Sequence, residues 1–143
     1  MGAYETVVKV RFGDIDHAGI VFYPRISEYL HVAFEEFFAD RVRLPYHELF
    51  DIRRLGLPTV RTEIDYRESL RFGDVARVEF GVLALGRCSV TTRYRIRKKP
   101  AGPVCVDARV TVVCVDMETF RPVPVPDDLR EVFLAHRVED RDE

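Results

Sequence analysis

Between Tyr4 and Phe12 apolar and polar positions alternate. Thr6, Val8, Val10 and Phe12 fall on one side and Val7, Lys9 and Arg11 on the other, the period-two signature of a strand over 4–12. After GDIDHAG the period changes. Ile26, Tyr29, Leu30, Ala33, Phe34, Phe37 and Phe38 recur at helical spacing over 24–40. Pro24 stands at the first helical position, where its missing N–H costs nothing. This wide aromatic stripe predicts a long helix around which the rest of the chain wraps. Pro45 opens a shorter helix through YHELF, which ends before Arg53 and Arg54. The period then returns to two. Val60, Thr62, Ile64 and Tyr66 share a face, RESLRFGD turns the chain, and Val78, Phe80, Val82 and Ala84 are in phase over 74–85. Cys88, Val90, Thr92, Tyr94 and Ile96 follow over 87–97, KKPAGP supplies a hairpin turn, and 104–116 reads as the last long strand. The prolines of PVPVPDDLR keep that segment out of a central strand. Asp127 or Asp128 is placed to cap a final short helix through Ala135.

Strand, long helix, short helix and four strands joined mostly by short turns point to antiparallel pairing. One apolar helix against one sheet is the simplest way to bury both, an α+β arrangement. No internal repeat, low-complexity segment or second domain interrupts the chain. Its 143 residues make one domain, expected over 1–137, with 138–143 a solvated tail without apolar periodicity that should fray.

A formal net charge of -2, with Lys and Arg spread along the chain, argues against nucleic acid, which needs a concentrated basic face. No apolar run is long enough to span a membrane, and MGAYETVVKV does not read as a signal peptide, so a soluble cytoplasmic protein is expected. Cys88, Cys105 and Cys114 sit in alternating stretches without Cys-x-x-Cys spacing, as reduced strand thiols do.

The chemistry concentrates in RFGDIDHAGIVFYPR, residues 11–25, which puts Asp14, Asp16 and His17 in a turn just before the long helix. Asp14 and Asp16 can be turn formers bonding nearby N–H groups. They can also be catalytic. Gly19 allows close backbone approach, and a helix starting near Tyr23 leaves unpaired N–H groups that favour developing negative charge. A carboxylate held beside them could attack a carbonyl or activate water, a combination suited to acyl transfer. No second ligand cluster supports a metal site.

RFGDIDHAGIVFYPR closely resembles the active-site segment of the hotdog-fold 4-hydroxybenzoyl-CoA thioesterase family. The resemblance extends to the long central helix, LGLPTV before the second strand, the DYRESLRFGD turn and the VPVPDDLR ending. It implies a hotdog fold, an antiparallel five-stranded sheet wrapped around one long helix. It implies Asp16 as nucleophile or general base, Asp14 as the less important partner, and the Tyr23 N–H polarising the thioester carbonyl. Substrate would be bound by Gly19, Val21, Phe22, His31, Thr59 and Arg87, the last near the phosphates of CoA, with no cofactor. Homodimers or tetramers with sites between subunits are implied. Short-chain relatives tend to carry histidine where this chain has Tyr23 after Phe22, as relatives acting on aromatic acyl groups do. His31 replaces an acid that meets the substrate hydroxyl in the 4-hydroxybenzoyl enzyme. The expected substrate is therefore an aromatic or other bulky acyl-CoA. The alternatives are a short-chain or acyl-carrier-protein thioesterase and a non-catalytic acyl-CoA-binding module.

Overall fold

The computed structural model describes residues 2–141. Alternation carries the first strand, β1 (Tyr4–Lys9), only to Lys9. Val10 is still buried and donates its N–H to the Asp74 carbonyl at 3.0 Å, but Phe12 points outward, 74% exposed. The expected strand over 4–12 is shorter because the Asp14 carboxylate accepts the Arg11 N–H at 3.0 Å and pulls the chain into a one-turn 3-10 segment.

The long helix α1 (Tyr23–Phe37) starts one residue before Pro24. Its buried residues, with Phe38 just beyond, are the predicted stripe residue for residue. Phe38–Val42 then form a wider π-type turn, closed by the Arg43 N–H on the Phe38 carbonyl at 2.7 Å. The short helix α2 (Tyr46–Asp51) leads into β2 (Leu55–Gly56), β3 (Thr59–Tyr66), β4 (Val75–Leu85), β5 (Ser89–Arg97), β6 (Val104–Val113) and β7 (Val115–Asp116), and α3 (Asp127–Ala135) follows. Five strands form one antiparallel sheet in the order β1-β4-β5-β6-β3, while β2 and β7 pair separately. The predicted last strand therefore divides at Cys114.

The register places Phe80, Tyr94 and Ala108 in one row, and Val78, Ile96 and Val106 in another, on the face that packs against α1. Phe37 meets Phe80 at 4.5 Å between ring centroids and stacks on Phe133 of α3 at 6.0 Å. A five-stranded antiparallel sheet around one long buried helix is the expected α+β hotdog architecture.

Two expected positions are shifted by bulges. The register slips between Val82 and Ala84, so Ala84 is exposed and Leu85 takes the inward place opposite Val90. A slip between Thr59 and Arg61 does the same to Val60, 61% exposed, and puts Thr59 in register with Val112. Neither aspartate caps α3. Pro126 is its N-cap, and Asp127 and Asp128 lie inside the first turn, where they complement the helix dipole. Asp128 also takes a two-pronged bond from Arg53, at 3.0 and 2.5 Å.

The expected solvated tail is described up to Arg141, and 142–143 lie outside the described residues. Glu139, Asp140 and Arg141 are exposed, yet this part is tied to the outer sheet face. The Val138 N–H bonds the Val82 carbonyl at 2.9 Å, and Asp140 accepts from Arg109 at 2.9 and 2.5 Å.

Candidate active site

The loop after β1 folds into a small hairpin. The Asp16 N–H reaches the Ile20 carbonyl at 2.9 Å, and the Gly19 N–H returns to the Asp16 carbonyl at 3.0 Å. Gly19 has φ +79, a left-handed conformation that glycine adopts without strain, and this is what its place in the turn requires. Among the described residues the Asp16 carboxylate accepts only the Ala18 N–H, at 2.8 Å, and the residue is exposed. Asp14 is engaged differently. Its Oδ2 accepts the Arg11 N–H and the Tyr29 hydroxyl, the latter at 2.7 Å. Burial, with the bond and charge of Asp14, pushes the Tyr29 phenol well above its ordinary pKa, so the hydroxyl keeps its proton and donates. Asp14 thereby clamps the loop to the buried face of α1. His17 is exposed on the turn.

The Phe22 N–H is spent on the Asp14 carbonyl at 2.8 Å, and the Arg25 N–H on the Phe22 carbonyl. Among the described residues the Tyr23 N–H, first of α1, finds no acceptor in the preceding loop, as expected at a helix start. Asp16, Val21, Phe22, Tyr23 and Ile26 line one cleft of about 330 Å³ with Tyr66, Arg67, Glu68, Leu70 and Val106. The rings of Phe22 and Tyr23 stack at 5.4 Å. An accessible carboxylate, an unpaired helix-start N–H and an apolar wall thus share a space in which a carbonyl could be held and attacked.

The other expected substrate residues lie elsewhere on the chain. His31 and Thr59 come together, lining a second cleft of about 120 Å³ with Leu30, Phe34 and Tyr94, and a third of about 380 Å³ between α2 and the β2–β7 pair. His31 makes an edge contact with Tyr46 at 5.6 Å. The first two clefts follow one seam, with α1 on one side and β3 and β6 on the other. Arg87 lies beyond the far end of β4, roughly 30 Å along the strand from the Asp74 turn, so one chain does not bring it to Asp16.

Sequence reasoning missed Arg67 and Tyr66 as cleft residues, since a Tyr-Arg pair at a strand end carries no local signal of which way it faces. It also passed over a short duplication. The tetrapeptide RFGD occurs at 11–14 and 71–74 and folds alike twice, each aspartate accepting its own arginine's N–H and each returning an N–H to that arginine's carbonyl. The two phenylalanines meet edge to face at 5.8 Å, and the Val21 N–H bonds the Leu70 carbonyl at 2.8 Å, so the twin turns lock the Asp16 loop to the sheet. Among the described residues no cluster of His, Cys, Asp and Glu could hold a metal, and no helix is long and apolar enough to cross a membrane.

Fold and cleft together define a hotdog thioesterase. Residues 10–133 match the model of the thioesterase-like superfamily, and the chain belongs to that family as a thioester hydrolase. It is 30% identical over 132 residues to a 1,4-dihydroxy-2-naphthoyl-CoA hydrolase of Synechococcus elongatus, covering 92% of this chain and 95% of the relative. It is 28% identical over 130 residues to a 4-hydroxybenzoyl-CoA thioesterase of a Pseudomonas species, covering 87% and 92%. The solved structure of a thioesterase-superfamily protein from Jannaschia superposes with a TM-score of 0.87 at 23% identity, covering 95% of this chain and 94% of that one, a likeness of fold.

Proposed function

We propose that this enzyme hydrolyses an aromatic, benzoyl-type or other bulky acyl-CoA thioester to the free acid and CoA. The observation that carries the reading is the common cleft of Asp16, the Tyr23 N–H and the stacked Phe22–Tyr23 pair. The carbonyl oxygen accepts the Tyr23 N–H, which stabilises the negative charge that develops on attack. Asp16 either attacks the carbonyl carbon or takes a proton from a water that does. In the first case the C–S bond breaks as an Asp16–acyl anhydride forms, and a water then hydrolyses that anhydride to the free acid and the Asp16 carboxylate. In the second the water oxygen forms the C–O bond directly as the C–S bond breaks. In both the thiolate leaves and is protonated as CoA. Gly19 and Val21 shape the loop beneath the acyl group, and the aromatic pair favours a ring over a thin alkyl chain. Both relatives above are named for aromatic acyl-CoA esters, which supports this substrate class.

The active unit is a homo-oligomer, at least a dimer. The edge strand β3 is exposed along nearly its whole length, an unpaired edge that a second copy can cover. Antiparallel pairing of two β3 strands about a two-fold axis sets the Tyr66 end of one against the Thr59 end of the other. The second copy's His31, Thr59 and Arg87 then approach this chain's Asp16, which unites residues that one chain keeps apart. His31, able to donate or accept one hydrogen bond, reads a polar ring substituent. The free cysteines Cys88, Cys105 and Cys114 fit a cytoplasmic setting.

The test is a panel of CoA thioesters followed by free-thiol release. Benzoyl- and naphthoyl-type esters should give higher kcat/KM than acetyl- or butyryl-CoA, and His31→Ala should change discrimination among ring substituents more than turnover of plain benzoyl-CoA. A clear preference for short aliphatic esters, or for acyl groups on a carrier protein, would move the assignment to those substrates.

A further inference from the structure

The cleft that holds Asp16 has a cation in its lining whose support runs through the sheet to the tail. On the outer sheet face Arg93 and Asp107 form a two-pronged pair, Nε to Oδ1 at 3.0 Å and Nη2 to Oδ2 at 2.8 Å, with side chains only 2% and 8% exposed. Burial opposes ionisation of Asp107. The hydrogen bonds of Arg93, with the charges of Arg93, Arg67 and Arg95, overcome it and hold the carboxyl below the usual range, so it stays anionic. Both Asp107 oxygens are already taken by Arg93, and Arg67, a residue of the cleft lining, adds a single Nη2 bond at 3.2 Å. A guanidinium has five N–H donors, and Asp107 uses one of those of Arg67. The adjacent Glu68 is drawn toward Lys98 at 3.6 Å.

The tail closes this arrangement from outside. Gly81, at the middle of β4, has no room for a Cβ, which would stand 2.5 Å from the methyls of Val138. The Val82 N–H bonds the His136 carbonyl and its carbonyl accepts the Val138 N–H, at 3.0 and 2.9 Å, and this seats the tail over the sheet. Asp140 then faces Arg93 at 3.4 Å, and the Arg141 carbonyl accepts from Arg93 and Arg95 at 2.5 Å each. Arg93 is buried under this strap and cannot swing away from Asp107.

We propose that Arg67 is the anion-binding residue of the catalytic cleft, taking a phosphate of the CoA carrier, with Asp107, Arg93 and the strap Val138–Arg141 as the positioning residues that hold it. The inference rests on the thioesterase reading for its substrate and on the charge geometry for its site. The cleft wall is apolar at Val21, Ile26, Leu70 and Val106, while the Arg67 side chain, also of the lining, is 36% exposed. A planar guanidinium with free donors suits two-pronged phosphate binding. A carboxylate on the acyl group has the same chemistry, and the two sources are separable by experiment.

Calorimetry on the full chain would compare free CoA with phosphate-free pantetheine. Arg67→Gln should weaken CoA binding about tenfold or more, the loss of one charge-assisted contact, and leave pantetheine unchanged, with Arg67→Lys in between. Asp140→Asn should weaken CoA severalfold when Arg67 is present and not at all in the Arg67→Gln background, a coupling that mere loss of stability would not produce. In hydrolysis, the KM rise of Arg67→Gln should appear with an acyl-CoA and not with the N-acetylcysteamine thioester of the same acyl group. Wild-type CoA affinity in Arg67→Gln, or equal losses with both thioesters, overturns the phosphate assignment. Equal effects of Asp140→Asn in both backgrounds overturn the role of the strap. Arg67-dependent CoA binding in a wild-type protein that cleaves no thioester would refute the thioesterase reading and leave this one standing.

Discussion

Asp14 and Asp16 stand two residues apart in one loop, and their partners predict opposite phenotypes. Asp14→Ala removes the acceptor of both the Arg11 N–H and the part-buried Tyr29 hydroxyl, so two donors lose a charged partner. A hydrogen bond to a charged group contributes about 1.5–3 kcal/mol, and the exposed Arg11 N–H recovers water, which leaves a net cost of about 2 kcal/mol. In a domain of this size that lowers Tm by roughly 5–10 °C. Asp16→Asn keeps an oxygen that can accept the Ala18 N–H, on an exposed turn, so stability should change by less than about 0.5 kcal/mol. Its loss is chemical: without the carboxylate, kcat should fall by about 100-fold or more with KM little changed. Thermal melts and steady-state thioester hydrolysis on the same preparations measure both quantities. An Asp16→Asn protein with full activity, or an Asp14→Ala protein with wild-type Tm and lost turnover, would refute the division of labour.

Three further outcomes follow from particular contacts. His136 is 2% exposed, burial lowers its pKa against the bond it makes to the Gly2 carbonyl, and its neutral form is the one the fold accepts. The unfolded chain therefore binds the extra proton first, so stability should fall as pH drops below about 6.5 and level off below the depressed folded pKa. Denaturant melts of His136→Gln should lack that limb. Gly81→Val should displace Val138 and lower Tm while leaving the hotdog core intact by circular dichroism, and an unchanged melt would show that the strap adds nothing. Light scattering should report at least two chains per particle, and Val60→Asp on the exposed β3 bulge should shift the mass toward one chain without lowering the melt of the monomer.

The periodic segments were legible without a structure because their information is local. The α1 stripe needs only the 3.6-residue repeat, so all seven predicted apolar residues are buried there. The alternation of β4 and β5 likewise placed Val78, Phe80 and Val82 beside Tyr94 and Ile96. Prediction ended where one hydrogen bond outweighs the pattern. The Asp14 bond to Arg11 ended β1 early, and two bulges moved Val60 and Ala84 outward, since an extra residue in a strand reverses every side chain beyond it. The candidate loop, with Asp16 and the helix start at Tyr23, could be read because its chemistry lies within a few residues. What only the tertiary structure decided is long-range. Pairing of β3 with β6 brought Arg67, Asp107, Arg93 and the tail into one line, while the lengths of α1, β3 and β4 kept His31, Thr59 and Arg87, respectively, away from Asp16. Such neighbours are set by sheet order and register, which depend on how distant segments bury each other's apolar faces rather than on any residue's own surroundings in the chain.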